Sequence, residues 1–572
     1  MTNEILIAHN AVIAKVQNPS TDLKLTIQKI LSFERKDTRP GYKDYSNFNG
    51  TSSLFNYDAG TFSAGLVWLV KEKLERQFSN VTVRLIRKPL PEPLGDPNMI
   101  VDDFGNDDER YEYQPRTVNL LLENGMMIAQ VATGGGKSRI ARMAFKRINR
   151  PTLFLTTRGA LMYQMKDSFE RDLKVKCTVL GDGEFGAMDK NGNLTITMMN
   201  VGMVQTLSAR LEKTSIENEF QKIYDALQRK FTKAVNDLRA QCVKSGQSSA
   251  VTTRELNKLI EQQNEYIEQH SVEMGAKAKA NFEKKDKMRN ITIKLLSKFE
   301  CVILEEAHEV SGDSYFNILN HCPNAHYRLA LTATPFMKEQ EEDNLRLMAV
   351  AGSIGITVDE HTLIERGILA KPYFKYCELS KRPTYLASSS PYTTAYRMGI
   401  VENDERNQLA IDEICKAKEY GLNAMILVQH TKHGDKIYQK CIEANLRVAY
   451  IQGEDSQDKR QYELNRLGKK EIDVLIGTNI LDVGVDVPSV GMIVLLGGGK
   501  AQVALRQRVG RGLRAKKNMP NCAFIVDFND KWNKHTRDHY AQRHAIIKGT
   551  KGFGENIVDD FDFKGLGFKA LD

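Results

Sequence analysis

The sequence predicts an α/β protein in which two parallel-sheet units follow one another along the chain. Short, wholly apolar runs such as TLFLTT and CVILEE recur between about 110 and 370, with helical segments between them. The same rhythm returns after about 420 in NAMILVQH and DVLIGTN. Apolar runs without polar alternation are typical of strands buried on both faces of a parallel sheet. We expect the polar segment KRPTYLASSSPYTT to join the two units.

The first hundred residues predict a separate small α+β domain. FSAGLVWLVKEKLERQF carries apolar residues at helical spacing, and VTVRLI alternates as a half-buried strand does. The proline-rich PLPEPLGDP and the acidic DDFGNDDE follow, and such compositions are typical of linkers. We therefore predict domains at 1–100, 101–370 (the first unit) and 371–545 (the second unit), with a C-terminal tail at 546–572.

A long polar stretch without a strand pattern interrupts the first unit between about 207 and 301. Its first half repeats apolar residues every three or four positions from Ile216 to Leu238, SGQSSAVTT supplies a turn, and a weaker helical pattern follows. Long insertions cost little closure entropy, so the fold tolerates them. The pattern predicts an antiparallel helical hairpin over about 211–298.

Charge and cysteine usage narrow the class of protein. A net charge of +9 and a pI near 8.9 favour a polyanion partner such as nucleic acid, although an excess of lysine and arginine also aids solubility. Eight cysteines without a Cys-x-x-Cys pair argue against a zinc site or a disulfide framework and for a reducing cytoplasm. No apolar run approaches the ~18 residues of a membrane span, and MTNEILIAHN lacks an export signal, so we expect no membrane partner.

A glycine-rich loop, VATGGGKS, lies between an apolar strand and the helix-forming RIARMAFKRI. In that context backbone N–H groups and a helix N-terminus cradle phosphates, Lys137 reaches the terminal phosphates, and the Ser138 hydroxyl holds Mg²⁺. Val131 stands where the usual pattern has glycine. The alternative is a flexible turn before a helix. We predict nucleotide binding by Thr133, Gly134, Gly135, Gly136, Lys137 and Ser138.

The stretch VILEEAHEV places two carboxylates directly after a second apolar strand. In a phosphate-binding loop protein, a neighbouring strand ends in the second acidic site. We expect Glu305 to hold Mg²⁺ through water and Glu306 to orient and deprotonate the attacking water. Taken alone, the pair would be a solvated strand end.

The basic segment LRQRVGRGLR in the second unit places Arg511 and Arg514 three residues apart. Arginines on one helical face of the second unit could neutralise a phosphate held by the first, which would require the two units to close. The alternative is a basic surface helix that binds a phosphate backbone. We predict that Glu306, Arg511, Arg514 and Lys137 are catalytic.

The order of these segments resembles the superfamily 2 helicases. YQPR looks like their adenine-reading segment, VATGGGKS motif I, TLFLTTRGAL motif Ia and MVQTL motif Ib. EEAH resembles the DExH box, TAT motif III, ILVQHTKHGDKI motif IV, TNILDVGVDVP motif V and QRVGRGLR motif VI. The resemblance covers roughly 110 to 530 apart from the hairpin, and it implies two tandem RecA-like domains that bind ATP and Mg²⁺.

The resemblance also implies roles for individual residues. Gln114 would read adenine, and Gly484 and Asp486 would face the nucleotide from the second unit. Coupling between nucleotide and nucleic acid would involve Thr332, Thr334, His308 and Gln507. The residues near the nucleic-acid backbone would be Thr157, Arg158, Gln205, His430 and Thr478. Backbone contacts do not read sequence, so binding should be salt-sensitive and largely non-specific.

The front domain resembles that of phage UvsW-type helicases in ILSFERKDTRPGYKDYSNFNGTSSLFNYDAGTFSAGLVWLVKEKLE. That likeness implies remodelling of branched DNA, including Holliday junctions and forks, in phage replication, recombination and repair, and a place in the host cytoplasm. The alternative is a generic small domain for solubility or contacts. We expect a monomer. An RNA helicase, a restriction-type duplex translocase and a nucleotide-gated binding scaffold with little turnover stay open.

Overall fold

A computed structural model describes residues 3–34, 51–101, 108–186, 188, 194–307, 313–336, 341–478, 490–499, 510, 513–516 and 519–571. The chain forms a small front domain and two parallel-sheet units, and a long helical hairpin projects from the first unit. Among the described residues, no helix combines the length and apolar character that crossing a membrane requires.

The front domain is a mixed sheet covered by two helices, as its sequence predicts. Its strands lie in the order β5-β2-β1-β6, with β1 and β6 parallel and the other pairs antiparallel, and β3 pairs with β4 separately. Apolar residues of α1, α2 and the sheet form its core. The elements are β1 (Asn3–His9), β2 (Ile13–Val16), α1 (Thr21–Ile30), β3 (Ser32–Glu34), β4 (Thr51–Ser53), β5 (Thr61–Ser63), α2 (Val67–Gln77) and β6 (Val81–Ile86).

The first unit is a parallel sheet with helices on both faces. The described strands follow the order β13-β7-β12-β11-β8-β10-β9, and every pair is parallel. Its elements are α3 (Tyr113–Asn124), β7 (Met126–Val131), α4 (Lys137–Ile148), β8 (Thr152–Thr156), α5 (Gly159–Leu173), β9 (Cys177–Leu180), β10 (Met199–Met203), α6 (Val204–Leu211), α7 (Ile216–Lys244), α8 (Ser249–Leu296), β11 (Cys301–Glu305), α9 (Asp313–Asn320), β12 (Tyr327–Thr332), α10 (Glu341–Ala351), β13 (Ile354–Val358) and α11 (Glu360–Glu365).

The front domain packs directly on α10 of the first unit. Gly65 makes this close approach possible, because a Cβ at this position would lie 2.7 Å from the Ala349 carbonyl oxygen. Leu345 and Ala349 of α10 are buried in the same apolar cluster as the front-domain core. The two bodies therefore share one continuous core.

The segment PLPEPLGDP, which its composition marks as a linker, lies against the first unit. The Leu94 and Gly95 N–H groups donate to carbonyl oxygens at the end of α4, over 3.0 and 3.1 Å. The Tyr327 hydroxyl donates to the Pro91 carbonyl oxygen at 2.5 Å. The connection is an extended strap held by hydrogen bonds along its length.

The predicted hairpin is confirmed as two long helices, α7 of 29 residues and α8 of 48 residues, which pack along each other. Ser248 caps α8, so this helix begins inside the predicted turn SGQSSAVTT. At the base of the hairpin, the buried Glu219 of α7 accepts a hydrogen bond from the Lys285 ammonium of α8 at 2.8 Å. Most other side chains of both helices are exposed or half-buried, so the hairpin stands out from the first unit.

The second unit is another parallel sheet, and the fold class predicted from the sequence is confirmed. Its described strands follow the order β16-β17-β15-β18-β19-β14-β20, and every pair is parallel. Its elements are β14 (Lys371–Glu378), α12 (Tyr392–Tyr396), α13 (Asp404–Glu419), β15 (Ala424–Val428), α14 (Thr431–Glu443), β16 (Val448–Ile451), α15 (Gln457–Gly468), β17 (Val474–Thr478), β18 (Met492–Val494), β19 (Cys522–Asn529), α16 (Lys534–Gly549) and β20 (Ile557–Val558).

The connection between the two units lies beside the predicted boundary at 370 and before KRPTYLASSSPYTT, the segment that we expect to join them. β14 precedes KRPTYLASSSPYTT and already belongs to the second sheet, so the chain crosses between sheets at 366–370. The segment expected to join the units instead lies on the second unit, where the Asn533 amide donates to the Ala387 and Ser390 carbonyl oxygens.

The end of the chain is part of the second unit. The predicted boundary at 545 falls within α16, and β20 pairs with β14 at the sheet edge. Arg543 of α16 is buried and donates to both carboxylate oxygens of Asp527 on β19, at 2.8 and 2.9 Å. The basic segment KWNKHTRDHYAQRHAIIKG is therefore anchored to the second sheet by a buried ion pair.

Candidate active site

The glycine-rich loop joins β7 to α4 in the arrangement that its sequence predicts. β7 is buried, and α4 begins at Lys137 directly after the loop. Gly134 and Gly136 have φ values of +88° and +81°, a region that favours glycine. The loop therefore presents backbone N–H groups and a helix N-terminus at one end of the first sheet, which suits a phosphate.

Two side chains of α3 support this loop from behind. The Tyr113 hydroxyl donates to the Gly135 carbonyl oxygen at 2.7 Å, and the Gln114 amide donates to the same oxygen at 3.1 Å. The Gln114 carbonyl oxygen also accepts a hydrogen bond from Arg139 of α4. Gln114 is 1% exposed, so the structure places it inside the loop support; its role in reading adenine stays a prediction.

The catalytic and metal-binding candidates of the first unit meet at the mouth of the loop. Lys137, Ser138, Glu305 and Glu306 line one cleft. The Lys137 ammonium donates to the Val131 carbonyl oxygen at 3.5 Å. Glu305 ends β11 and Glu306 follows it, and β11 lies two strands from β7 in the sheet. Parallel strands bring their carboxyl ends to one edge, and this explains how residues distant in sequence converge.

Glu305 and Glu306 differ in backbone conformation and burial. Glu305 ends β11 and is 4% exposed. Glu306 has a φ of +50°, in the left-handed region that non-glycine residues seldom adopt. Such backbone strain clusters at functional sites because the surrounding structure must hold it in place. Both carboxylates line the same cleft, although a regular strand would send adjacent side chains to opposite faces.

The cleft has a volume of about 700 Å³, and both units line it. From the second unit it receives Gly510, Arg514, Ala515, Lys516 and Asn521, and from the connection between the units it receives Gly367, Ile368 and Leu369. The predicted Arg514 therefore faces the same space as Lys137. The backbone of Arg514 forms a bridge with Leu369, which fixes its position beside the connection.

The donor set in this cleft fits a magnesium ion. A serine hydroxyl (Ser138) and a carboxylate (Glu305) are oxygen ligands of the kind that Mg²⁺ prefers alongside water and substrate phosphates. Among the described residues, no cluster of three or more His, Cys, Asp and Glu side chains forms an all-protein metal cage. The arrangement therefore suits an ion that arrives with a nucleotide.

Two further predicted residues lie at the end of the neighbouring strand β12. Thr332 and Thr334 are 0% and 2% exposed, and the Thr334 N–H donates to the Thr332 hydroxyl oxygen at 3.1 Å. β12 lies between β7 and β11 in the sheet, so this turn lies between the glycine-rich loop and the two carboxylates. Their coupling role stays a prediction.

The predicted nucleic-acid residues lie in three places: Thr157 and Gln205 are in contact, His430 and Thr478 lie at the ends of adjacent strands, and Arg158 lies apart from both. Gln205 donates from its amide to the Thr157 carbonyl oxygen at 2.9 Å, at the carboxyl ends of β8 and β10. His430 follows β15, and Thr478 ends the adjacent β17. Arg158 instead lines the cleft beside the glycine-rich loop. The remaining predicted site residues, His308, Gly484, Asp486, Gln507 and Arg511, lie outside the described residues.

Several cleft residues have no counterpart among those that the sequence singled out. Arg110 and Tyr111 line the cleft from just before α3, and Lys516 and Asn521 line it from the second unit. Tyr111 lies two residues before YQPR, the predicted adenine-reading segment, so its position in the sequence is a signal that could identify it. Nothing in the spacing of Lys516 and Asn521 distinguishes them from other polar surface residues.

Two protein-family models match the chain. The model described as the res subunit of type III restriction enzymes matches residues 109–227 and 221–337. The model described as the helicase conserved C-terminal domain matches residues 405–516. Together they cover more than half of the chain and both walls of the cleft. The chain belongs to the superfamily 2 helicases, as the order of its motifs predicts.

Relatives of this helicase are distant. It is 24% identical over 245 residues to helicase 22 of Sulfolobus islandicus filamentous virus, covering 41% of this chain and 43% of the relative. It is 25% identical over 183 residues to the pre-mRNA-splicing ATP-dependent RNA helicase PRP28 of Kluyveromyces lactis, covering 29% and 34%. It is 21% identical over 266 residues to the ATP-dependent DNA helicase uvsW of Enterobacteria phage T4, covering 44% and 51%. The helicase thus spans about half or less of the length of these relatives.

Solved helicase structures align along most of the chain. The crystal structure of T4 UvsW aligns with a TM-score of 0.41 and 16% identity, covering 97% of this helicase and 98% of that chain. Dbp5 of S. cerevisiae bound to RNA and ADP BeF3 aligns with a TM-score of 0.43 and 14% identity, covering 80% and 90%.

Proposed function

We propose that this helicase is an ATP-driven motor that moves on DNA and remodels branched DNA. The observation that carries the ATPase part is the single cleft that Lys137, Ser138, Glu305 and Glu306 line from the first unit and Arg514 lines from the second. When the site is divided between two units, one nucleotide must be contacted by both of them. Nucleotide binding can therefore draw the two units together, and hydrolysis can release them.

The residues of the cleft divide the work of hydrolysis. The loop N–H groups and the Lys137 ammonium hold the terminal phosphates of ATP. Glu306 orients a water molecule and accepts its proton as that water attacks the γ-phosphorus. Arg514, with Arg511, neutralises charge that develops on the leaving phosphate oxygens. When bound, Mg²⁺ at Ser138 and Glu305 supplies charge neutralisation across the phosphates.

The choice of DNA rests on charge and on one relative. A net charge of +9 suits a phosphate backbone. The pairs Thr157–Gln205 and His430–Thr478 lie at the carboxyl ends of strands in the two sheets, so each unit offers one grip on a strand. The relative uvsW is an ATP-dependent DNA helicase, which favours DNA. The relative PRP28 is an RNA helicase, which makes RNA the second candidate.

ATPase assays with a panel of nucleic acids test this proposal. At one fixed salt concentration, hydrolysis is measured with single-stranded DNA, duplex, a fork, a four-way junction and single-stranded RNA. We expect the fork and the junction to stimulate hydrolysis most. Stronger stimulation by RNA would replace DNA with RNA as the substrate. Preference for plain duplex without strand separation would indicate a duplex translocase, in keeping with the restriction-enzyme family model.

Two variants test the catalytic assignment itself. Lys137→Ala removes the phosphate-binding ammonium, and Glu306→Gln removes the proton acceptor while preserving side-chain shape. Each should lower the turnover rate by at least about 100-fold, because a positioned proton acceptor and a positioned cation on the phosphates each contribute at least that much. Lys298→Ala, on the loop before β11, is the matched control and should hydrolyse ATP normally. If neither site variant lowers hydrolysis, the catalytic assignment is wrong. Little hydrolysis by the wild-type protein itself would favour a nucleotide-gated binding scaffold over a motor.

A further inference from the structure

Lys516 lies in the wall of the cleft that the second unit provides. Its N–H donates to the Asn521 side-chain oxygen at 2.9 Å, and the Asn521 amide donates in turn to the Leu369 carbonyl oxygen at 3.2 Å. These contacts fix the Lys516 backbone beside the connection between the two units. The same cleft is lined by Lys137 on the opposite wall.

The Lys516 ammonium is buried without a hydrogen-bond partner among the described residues. The residue as a whole is 8% exposed. The titratable group that faces it in the described part of the chain is the Cys522 thiol on β19, and Lys371 on β14 also acts on that thiol. Burial lowers the pKa of Lys516 to about 8, and the nearby Cys522 thiol opposes this effect without cancelling it.

This arrangement is unfavourable for the protein without a ligand. A buried ammonium that lacks an acceptor loses its hydration and gains nothing in exchange. A neutral amine avoids the charge but still has N–H groups to satisfy. An anion that enters the cleft would provide the acceptor. Lysine offers a compact point charge with several donors, which suits an oxygen of a phosphate group.

We propose that Lys516 is a nucleotide-binding residue of the second unit, and that its ammonium pairs with a phosphate oxygen of a nucleoside polyphosphate in the cleft. This inference rests on the proposed function, because it takes the cleft to be a nucleotide site. It adds a cation that acts from the wall opposite Lys137. Lys516 leaves its buried position as the phosphate arrives. Because Asn521 bonds both Lys516 and Leu369, this movement transmits the occupancy of the cleft to the connection between the units.

The proposal carries a protonation signature. Without nucleotide, the amine is largely neutral above a pH of about 8. A phosphate partner favours the charged form and raises the pKa of Lys516 towards its ordinary value. Nucleotide binding above about pH 8 must therefore take up a proton from solution. A lysine that serves only to fill the wall of the cleft would produce no such uptake.

Calorimetric titration with Mg-ADP tests the proposal without depending on hydrolysis. Wild type, Lys516→Met and the control Lys371→Met are titrated at about pH 8.5 in two buffers that differ in ionisation enthalpy. Lys371 is an exposed lysine on the neighbouring strand, so its replacement removes a charge from the same region. We expect Lys516→Met to bind ADP about tenfold more weakly and to lose the proton uptake, with Lys371→Met matching wild type.

Thermal melting separates this outcome from misfolding. Because Lys516→Met removes a buried charge that has no acceptor, its melting temperature without nucleotide should equal or exceed that of wild type. The rise on adding ADP should be smaller than in wild type. Wild-type affinity together with wild-type proton uptake in Lys516→Met would overturn the Lys516 proposal alone. Failure of the wild-type protein to bind ADP would overturn the proposed function and this inference together.

Discussion

Gly510 of the second unit lies directly against Thr133 of the glycine-rich loop. A Cβ on Gly510 would lie 3.0 Å from the Thr133 Cβ, closer than side chains normally pack. The Gly510 carbonyl oxygen is also 3.9 Å from where a Cβ on Gly134 would lie. The two units therefore approach each other closely where the phosphates are proposed to bind, and a side chain at Gly510 would require Thr133 to shift.

Gly510→Val should keep the two units apart. Its three additional carbon atoms would meet Thr133, and relieving that overlap opens the cleft. We expect turnover to fall at least about tenfold, because an arginine from the second unit is worth far more than that in related chemistry. Steady-state ATPase rates check this.

The control for this prediction is Gly549→Val at the end of α16. A Cβ at Gly549 would meet no atom within 4 Å, so the same substitution in the same unit should leave turnover unchanged. Equal rates in Gly510→Val and wild type would show that contact between these two segments is not required for hydrolysis.

Shortening the hairpin should separate unwinding from hydrolysis. The Phe231 ring of α7 and the Tyr266 ring of α8 meet edge to face, with their centroids 6.0 Å apart. Residues 232–265 beyond this contact can therefore be replaced by a short Gly/Ser turn that leaves the base intact. If the hairpin is a wedge or clamp on branched DNA, junction unwinding should fall several-fold while basal ATPase stays at its wild-type rate. Gel-based unwinding of a four-way junction measures this.

The same truncation answers a second question about the hairpin. Light scattering on wild type and the shortened protein reports whether the hairpin holds copies of the chain together; we expect a monomer in both. Unchanged junction unwinding in the shortened protein would eliminate the wedge.

Glu219→Gln should loosen the base of the hairpin. Hydrogen bonds from Lys285, then from Thr214 and Lys222, hold the pKa of the Glu219 carboxyl at about 2. The contribution of these hydrogen bonds to the free energy of unfolding is present above a pH of about 4.5 and is lost as the pH falls towards 2. At neutral pH, glutamine removes the charge from these bonds, so amide exchange around 214–222 should quicken about tenfold. Hydrogen–deuterium exchange measures this.

Glu217→Gln is the matched control for the hairpin base. Glu217 lies in the same first turn of α7 but is exposed, so its neutralisation should leave exchange rates as in wild type. If both variants exchange at the wild-type rate, the Glu219 pairs do not hold the base.

His433 should make the second unit sensitive to mild acid. Burial, and then the nearby Arg406 guanidinium, lowers the pKa of His433 to about 3, and its ring N–H donates to the Asn407 side-chain oxygen at 2.9 Å. The folded protein therefore keeps this ring neutral, whereas the unfolded chain protonates it below about pH 6.5. The free energy of unfolding should fall by about 1.4 kcal/mol for each pH unit below about 6.5.

Trp532 offers a local probe for the acid effect. The chain has two tryptophans, Trp68 in the front domain and Trp532 in the second unit. In a Trp68→Phe background, Trp532 fluorescence during urea unfolding reports the second unit at about pH 7.5 and about pH 5.5. His433→Gln should show a smaller loss between these two pH values. An equal loss in both proteins would assign the acid sensitivity to other groups.

The sequence predicts the sheets well because their strands carry an unambiguous signal. β8, β11, β15 and β17 are buried throughout and carry polar side chains only at their ends, so the pattern alone locates them. The sequence does not show β14 as a wholly apolar run, because KPYFKYCE alternates between buried and more exposed positions. A strand that pairs with β20 at the edge of the sheet needs only one apolar face, and its pattern resembles that of an ordinary surface segment.

Only part of the candidate site could be predicted from the sequence. Lys137, Ser138, Glu305 and Glu306 could be predicted to meet because each lies at or just beyond the carboxyl end of a strand of one parallel sheet. The position of Gln114 behind the loop depends on how α3 packs, which the motif does not encode. Lys516 depends on a tertiary contact between the connection and the second unit, so no local spacing reveals it.

Asn521 ties together the place where the chain passes from one sheet to the other. Its backbone oxygen accepts from the Lys371 N–H at 2.8 Å, and its side chain bridges the Lys516 N–H and the Leu369 carbonyl oxygen. Because these hydrogen bonds brace a short passage, we expect any movement between the two units to be a rotation about it and not a lateral slide. If the two units move relative to each other during nucleotide hydrolysis, that movement would then be a small rotation about the same connection in every cycle.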